Sequence, residues 1–190
     1  MRWLGEQLAR LRGWAYSGFG RDRWQQPDRI VRALGVPLGA SVADIGAGGG
    51  YFTFRLAEAV GPTGRVFAVD VDHSLLDTVV TEATTRGLAN VQRVAAEPGL
   101  PQLPESIDMA FVSNAYHHLP DPPRYCAALA AYLRPGGRVA IIEARGEGLR
   151  GPLGHATAPE RIEREMRQAG YSVEATHDVV GGQSFQVFRR

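Results

Sequence analysis

The ten residues Val42-Ala-Asp-Ile-Gly-Ala-Gly-Gly-Gly-Tyr51 restrict the fold of this chain more than any other stretch. Val42 to Ile45 is a short, largely apolar run, the kind that forms a strand in the middle of a parallel sheet. Gly46, Gly48 and Gly50 follow at alternate positions. They let the backbone turn tightly before a helix and expose bare amides to a ligand where a Cβ would stand in the way. A strand that runs through such a bend into a helix forms a nucleotide cradle. The dinucleotide version of this cradle has a further glycine at the place of Tyr51, which allows close packing of helix on strand. Tyr51 therefore argues against a nicotinamide oxidoreductase.

About twenty residues later a second apolar run, Arg65-Val-Phe-Ala-Val-Asp70, ends in a carboxylate and is followed by Val71. A carboxylate at the tip of a second strand is placed to accept hydrogen bonds from both hydroxyls of a ribose. With this bend between Asp44 and Asp70, residues 24 to 190 resemble the class I S-adenosylmethionine-dependent methyltransferases. The likeness is strongest to the small, cap-free members related to ubiquinone and menaquinone biosynthesis enzymes. It implies S-adenosyl-L-methionine as cofactor and S-adenosyl-L-homocysteine as product. It also implies methyl transfer to a small-molecule acceptor, with the reacting atom (O, N, S or C) left open. The expected architecture is α/β, a Rossmann-like doubly wound sheet of seven strands with an antiparallel last strand and helices on both faces.

The rest of the chain fits one domain of this kind. Its 190 residues, 44% apolar, supply one core with two helical layers and no second domain. The domain proper is expected over 27–190, preceded at 1–26 by an amphipathic helix. In that helix Trp3, Leu4, Leu8, Leu11 and Ala15 recur at three- and four-residue intervals. This segment either packs on the domain edge or closes as a lid that brings Trp14, Tyr16 and Phe19 over the acceptor. The resemblance implies the lid, with Tyr16 a substrate-pocket candidate, and Trp24 and Gln25, just before Pro27, are further pocket candidates. Seven arginines against three acidic residues in 1–32 make the segment basic: it is solvated, or it touches a membrane surface weakly, or it meets an acidic partner. The single cysteine, Cys126, forms no internal disulfide. No apolar run reaches membrane-spanning length and no signal-peptide core is present, so the chain reads as cytoplasmic. All basic residues are arginine, which excludes P-loop hydrolysis, Schiff-base chemistry and a lysine base.

Strand and helix signals alternate after the bend. Helices are expected at Pro27–Leu34, Phe52–Val60, His73–Arg86, Asp121–Leu133 and Pro159–Ala169, and strands at Val91–Ala95, Ile107–Val112 and Arg138–Glu143. A terminal hairpin joins Tyr171–His177 to Gln183–Phe188 through Gly181-Gly182. Asp72 and Asp121 read as helix caps, and Thr157 as the cap of the last helix.

Ligand contacts in open α/β sheets come from strand C-termini. Gly46, Ala47, Gly48 and Gly50 line the cofactor, and Asp70 and Val71 take its ribose end. Asp44 either braces the loop or faces the methionine end. By the resemblance, Glu97 meets the adenine amino group, although Pro98 has no N–H to offer the ring. After the fourth strand comes Asn114-Ala-Tyr-His-His118. Asn114 is expected beneath the methionine part, with His117 and His118 toward the acceptor. The resemblance places His118 in the active site, where a neutral imidazole takes a proton as the methyl arrives. The alternative is a pocket-wall histidine beside a capping or core histidine. No metal is expected, because adjacent side chains diverge and no third ligand lies at the right spacing. His155 falls in a Gly-Pro-x-Gly-His run that borders the acceptor site in the family, and with Arg150 is a substrate-contact candidate. Glu143, at a strand end, reads as solvated rather than facing the pocket.

Two nucleic-acid chemistries fail on residues. Adenine amino-methylation needs an Asn/Asp-Pro-Pro-aromatic turn where this chain has Asn114-Ala-Tyr116. Cytosine C5-methylation needs a Pro-Cys nucleophile, and Cys126 follows Tyr125. An RNA methyltransferase working through the basic segment, and a non-catalytic cofactor-binding or scaffolding domain, remain as rival readings.

Overall fold

The computed structural model describes residues 21–145, 156–179 and 181–190. The amphipathic helix and lid, with Trp14, Tyr16 and Phe19, lie outside the described residues, as do Arg150 and His155. In chain order the described elements are α1 (Arg21–Gln25), α2 (Pro27–Leu34), β1 (Ser41–Ile45), α3 (Thr53–Val60), β2 (Arg65–Asp70), α4 (His73–Thr85) and β3 (Val91–Ala95). They continue with β4 (Ile107–Ser113), α5 (Pro122–Leu129), β5 (Leu133–Ala144), α6 (Pro159–Gln168), β6 (Ser172–Thr176) and β7 (Gln183–Arg189).

All seven strands form one sheet in the order β3-β2-β1-β4-β5-β7-β6. β1 to β5 pair in parallel, while β7 runs antiparallel to both β5 and β6. The strand order reverses between β1 and β4, so a crevice opens at the C-terminal ends of those two strands. Alternation along each strand separates the two cores. Val42, Val66, Met109, Phe111, Ala140 and Ile142 face Ile30 and Leu34 of α2 and Leu56 and Val60 of α3. Ala43, Ile45, Phe67, Val69, Val112 and Ile141 face the opposite layer, where Leu129 of α5 and Ile162 and Met166 of α6 pack. Helices thus cover both faces, as the resemblance implies.

Local chemistry explains most boundaries. Asp72 accepts from the amides of Ser74 and Leu75 and so starts α4, and Asp121 accepts from the Arg124 amide at the start of α5, where Pro122 occupies the first turn. Two expectations are corrected. The α5 helix ends at Leu129 and tightens into a 3₁₀ turn over Ala130–Tyr132, because Leu133 is already paired with Ile107 in the sheet. Thr157 does not cap α6. Pro159 opens that helix and holds Ala158 in extended backbone at the cap position, where no side-chain oxygen is available, while Thr157 is buried. No helix among the described residues is long and apolar enough to cross a membrane.

Candidate functional site

The glycine bend is held at the ends of β1 and β2. The amides of Gly46 and Ala47 both donate to the Val69 carbonyl, at 2.8 and 3.0 Å. Gly46, Gly48 and Gly50 all have positive φ. A Cβ on Gly46 would collide with that of Ala115 in the loop after β4, so its absence lets the two sides of the crevice approach. A Cβ on Gly50 would lie 2.7 Å from the Phe54 ring, so this glycine provides the close helix packing that Tyr51 could not. Tyr51 is buried instead, and its hydroxyl donates to Asp22 at 2.6 Å.

Asp70 closes the bend from the other side. Its Oδ2 accepts from the Gly48 amide at 2.8 Å and its Oδ1 from the Asp72 amide at 3.0 Å. A carboxylate oxygen has two acceptor directions, so each oxygen keeps one for a ribose hydroxyl. Val71, the next residue, is exposed beside it. A bend stripped of side chains, next to a half-buried carboxylate with acceptor capacity in reserve, fits an adenosyl group. Glu97 and Pro98 are exposed beyond the end of β3, with the Glu97 amide bound to the Gln102 side chain at 3.1 Å.

Asp44 is buried beneath the bend and accepts a 2.6 Å hydrogen bond from Thr53 at the start of α3. Burial raises its pKa to about 6; the Thr53 hydrogen bond works against the rise, the nearby Asp70 charge adds to it, and Arg21 opposes it. The Arg21 guanidinium lies over the Tyr51 ring, 4.0 Å from its centroid, and donates to Gln25. Sequence reading passed over Arg21 as one member of a basic segment. Gln25, fully buried, reaches Ser113 at the end of β4, while its neighbour Trp24 is half exposed.

The ends of β4 and β5 carry the second half of the site. Asn114 adopts left-handed backbone, donates its amide to Ile142 at 2.8 Å, and accepts from the Gln183 side chain at 2.7 Å. Gln183 was missed, although a glutamine at an inward position of the apolar β7 sequence is a readable signal. Tyr116, His117 and His118 make a single 3₁₀ turn. The two imidazoles do not diverge: the short turn lets them tilt together, with centroids 4.0 Å apart. His118 is exposed. His117 is largely buried, and its Nδ1 lies 3.1 Å from Oε1 of Glu143.

Glu143 is corrected as well. It is fully buried rather than solvated, because β7 pairs alongside β5 and Ser184 sits opposite it. Burial raises its carboxyl to about 7; the amides of Ala144, His117 and Tyr116 and the charge of His118 pull the other way. Oε1 also accepts from the Ala144 amide at 3.2 Å, whereas Oε2 has no hydrogen-bond partner among the described residues. His117 lines a cleft of about 210 Å³ together with Tyr116, Leu119, Thr157 and Arg161. The back of this cleft is fixed: the Tyr116 hydroxyl donates to Glu165 at 2.9 Å, and Arg161 pairs with the same carboxylate at 2.8 Å. Among the described residues no three His, Cys, Asp or Glu side chains gather at metal-binding spacing.

A family model described as a methyltransferase domain matches residues 43–141. Nocamycin O-methyltransferase of Saccharothrix syringae is 34% identical over 126 residues, covering 66% of this chain and 42% of that protein. Aklanonic acid methyltransferase of Streptomyces sp. (strain C5) is 36% identical over 114 residues, covering 60% and 52%. Demethylmenaquinone methyltransferase of Lactococcus lactis subsp. lactis is 28% identical over 123 residues, covering 64% and 48%. The chain spans about half the length of the curated relatives it matches. Among solved structures, a SAM-dependent methyltransferase from Aquifex aeolicus superposes with a TM-score of 0.80 over 93% of this chain and 95% of that one, at 24% identity. This likeness shows the fold.

Proposed function

The chain belongs to the methyltransferase domain family, and on that premise we propose that it is an S-adenosylmethionine-dependent enzyme that methylates a small-molecule acceptor. One observation carries the proposal: Asp70 is tied to the glycine bend through Gly48 and still has one acceptor position on each oxygen. Gly46, Ala47, Gly48, Gly50, Asp70 and Val71 would hold the adenosyl group, Glu97 and Pro98 the adenine edge, and Asp44 and Asn114 the methionine end. When bound, S-adenosylmethionine supplies an electrophilic methyl on a sulfonium with a good leaving group already in place.

The protein's own task is then alignment and exclusion of water. Fixing two reactants in line contributes roughly 7 to 11 kcal/mol toward the barrier, and a positioned base adds about two to four powers of ten. His117 and His118 are the bases we propose, with Tyr16, Trp24 and His155 about the acceptor. The relatives' names, on nocamycin, aklanonic acid and demethylmenaquinone, support a small organic acceptor. Against a cysteine-based mechanism, burial pushes the Cys126 thiol up to about 12 and keeps it protonated. That reduced, buried thiol also accords with the cytoplasm as the place of action.

Calorimetric titration with S-adenosylhomocysteine, S-adenosylmethionine and NAD tests the reading. Binding of the first two and not of NAD is expected, followed by release of S-adenosylhomocysteine when a panel of hydroxylated and aminated metabolites is supplied. Binding without turnover across the panel would favour a non-catalytic cofactor-binding domain, and stabilisation by NAD alone would overturn the family's chemistry for this chain.

A further inference from the structure

Glu143 presents a cost that the cofactor site does not explain. A fully buried carboxylate is expensive unless it is paired and hydrogen-bonded, and here one oxygen, Oε2, has no partner among the described residues. A glutamine of the same shape would accept from the Ala144 amide equally well without placing a carboxyl in the interior. What a carboxylate does differently is carry a charge, which strengthens its hold on an imidazole N–H and stabilises the imidazolium once that ring takes a second proton. His117 offers Nδ1 at 3.1 Å, from a turn that also forms the wall of the 210 Å³ cleft.

Resting on the methyltransferase reading, we infer that Glu143 is a positioning residue. It holds the His117 proton on Nδ1, so that Nε2 accepts the proton of a hydroxyl-bearing acceptor. The ring's two nitrogens are chemically distinct, and the bond made by one fixes the role of the other. With Glu143 ionised and accepting from Nδ1–H, Nε2 has no proton of its own and its lone pair can take one. In the step itself the acceptor's O–H bond breaks, an N–H bond forms at Nε2, and the electron pair stays on the acceptor oxygen. The imidazolium that results lies against a carboxylate in a region of low dielectric, which stabilises it.

The same geometry separates the two histidines. His118 stacks against His117 from the exposed side, whereas the largely buried His117 places its Nδ1 3.1 Å from Glu143, so the primary proton acceptor is His117. It also narrows the acceptor. A base fixed this firmly serves a nucleophile that must lose a proton, a phenol, enol or other hydroxyl, rather than a tertiary amine or an existing anion.

The test needs no cofactor. In ¹⁵N-histidine-labelled, ligand-free protein at about pH 8.5, above the raised Glu143 pKa, nitrogen-edited NMR should find the His117 proton on Nδ1, and in Glu143→Leu, which has no acceptor, it should move to Nε2. Turnover with a hydroxylated acceptor should fall at least tenfold in Glu143→Gln with KM little changed, and His117→Gln should lower kcat more than His118→Gln does. A wild-type His117 carrying its proton on Nε2 would overturn the inference without any variant. So would a Glu143→Leu protein in which the tautomer is unchanged while melting temperature and activity drop together, since that is what a purely structural carboxyl would do. Failure of S-adenosylhomocysteine to bind, with the tautomer as expected, would instead remove the methyltransferase reading and leave the Glu143–His117 assignment standing.

Discussion

The two ends of the crevice are built differently. On the β1/β2 side, Asp44 meets Thr53 nine residues away and Asp70 meets Gly48 across 22. On the β4/β5 side, His117 meets Glu143 across 26 residues, Asn114 meets Gln183 across 69, and Gln25 reaches Ser113 across 88. The first side is written in one contiguous segment, whose glycines and carboxylates carry their purpose in their spacing. The second is complete only once β7 of the terminal hairpin lies beside β5 and brings Gln183 to Asn114. A family can therefore keep one cofactor seat while its acceptor seat varies, because the second can be re-formed by changes far from the motif.

If the two sides are separable, His117→Gln should reduce kcat by on the order of 10² to 10⁴ while affinity for S-adenosylhomocysteine changes less than threefold. Equal loss of both would join the two sides into one structural unit. Gly46 is where they touch, so Gly46→Ala should break the comparison: its Cβ would strike Ala115 in strained backbone, lowering stability by roughly 2 to 4 kcal/mol and harming both functions. Thermal melting alongside the two assays would check this.

A pH series sharpens the cofactor side. The folded-state pKa of Asp44 is raised from 3.8 to about 6, chiefly by burial, so between those values the folded protein binds more protons than the unfolded chain. The contribution of Asp44 to stability is therefore present at low pH and lost as pH rises through that window. Asp44→Asn should be more stable than wild type at pH 7, by on the order of 3 kcal/mol, and nearly equal to it at pH 3.5. Denaturant midpoints at the two pH values would show it, and a variant less stable at pH 7 would contradict it. The smallest effect concerns the neighbour of Asp70: Asp72→Ala should cost about 1 kcal/mol as the lost cap of α4, with cofactor affinity nearly intact.

The same division explains what the sequence disclosed. Strand alternation, capping aspartates and the glycine bend are local, so the seven strand segments and the position of Asp70 could be read directly, while the antiparallel β7 came from the family resemblance. Glu143 could not, because whether a strand-end carboxylate is solvated depends on β7 lying beside it. Thr157 misled because Pro159, two residues on, moved the cap to Ala158. The histidine pair misled because side chains on a single 3₁₀ turn can tilt toward one another. Arg21 was hidden among other arginines, and only the fold shows its guanidinium stacked on Tyr51, near Asp44.

The central claim is that the bend and Asp70 seat an adenosyl group. Isothermal titration of wild type and Asp70→Ala with S-adenosylhomocysteine tests it most directly. Two hydroxyl contacts to a charged acceptor, at roughly 1.5 to 3 kcal/mol each, predict at least tenfold weaker binding. Equal affinity in the two proteins would contradict it.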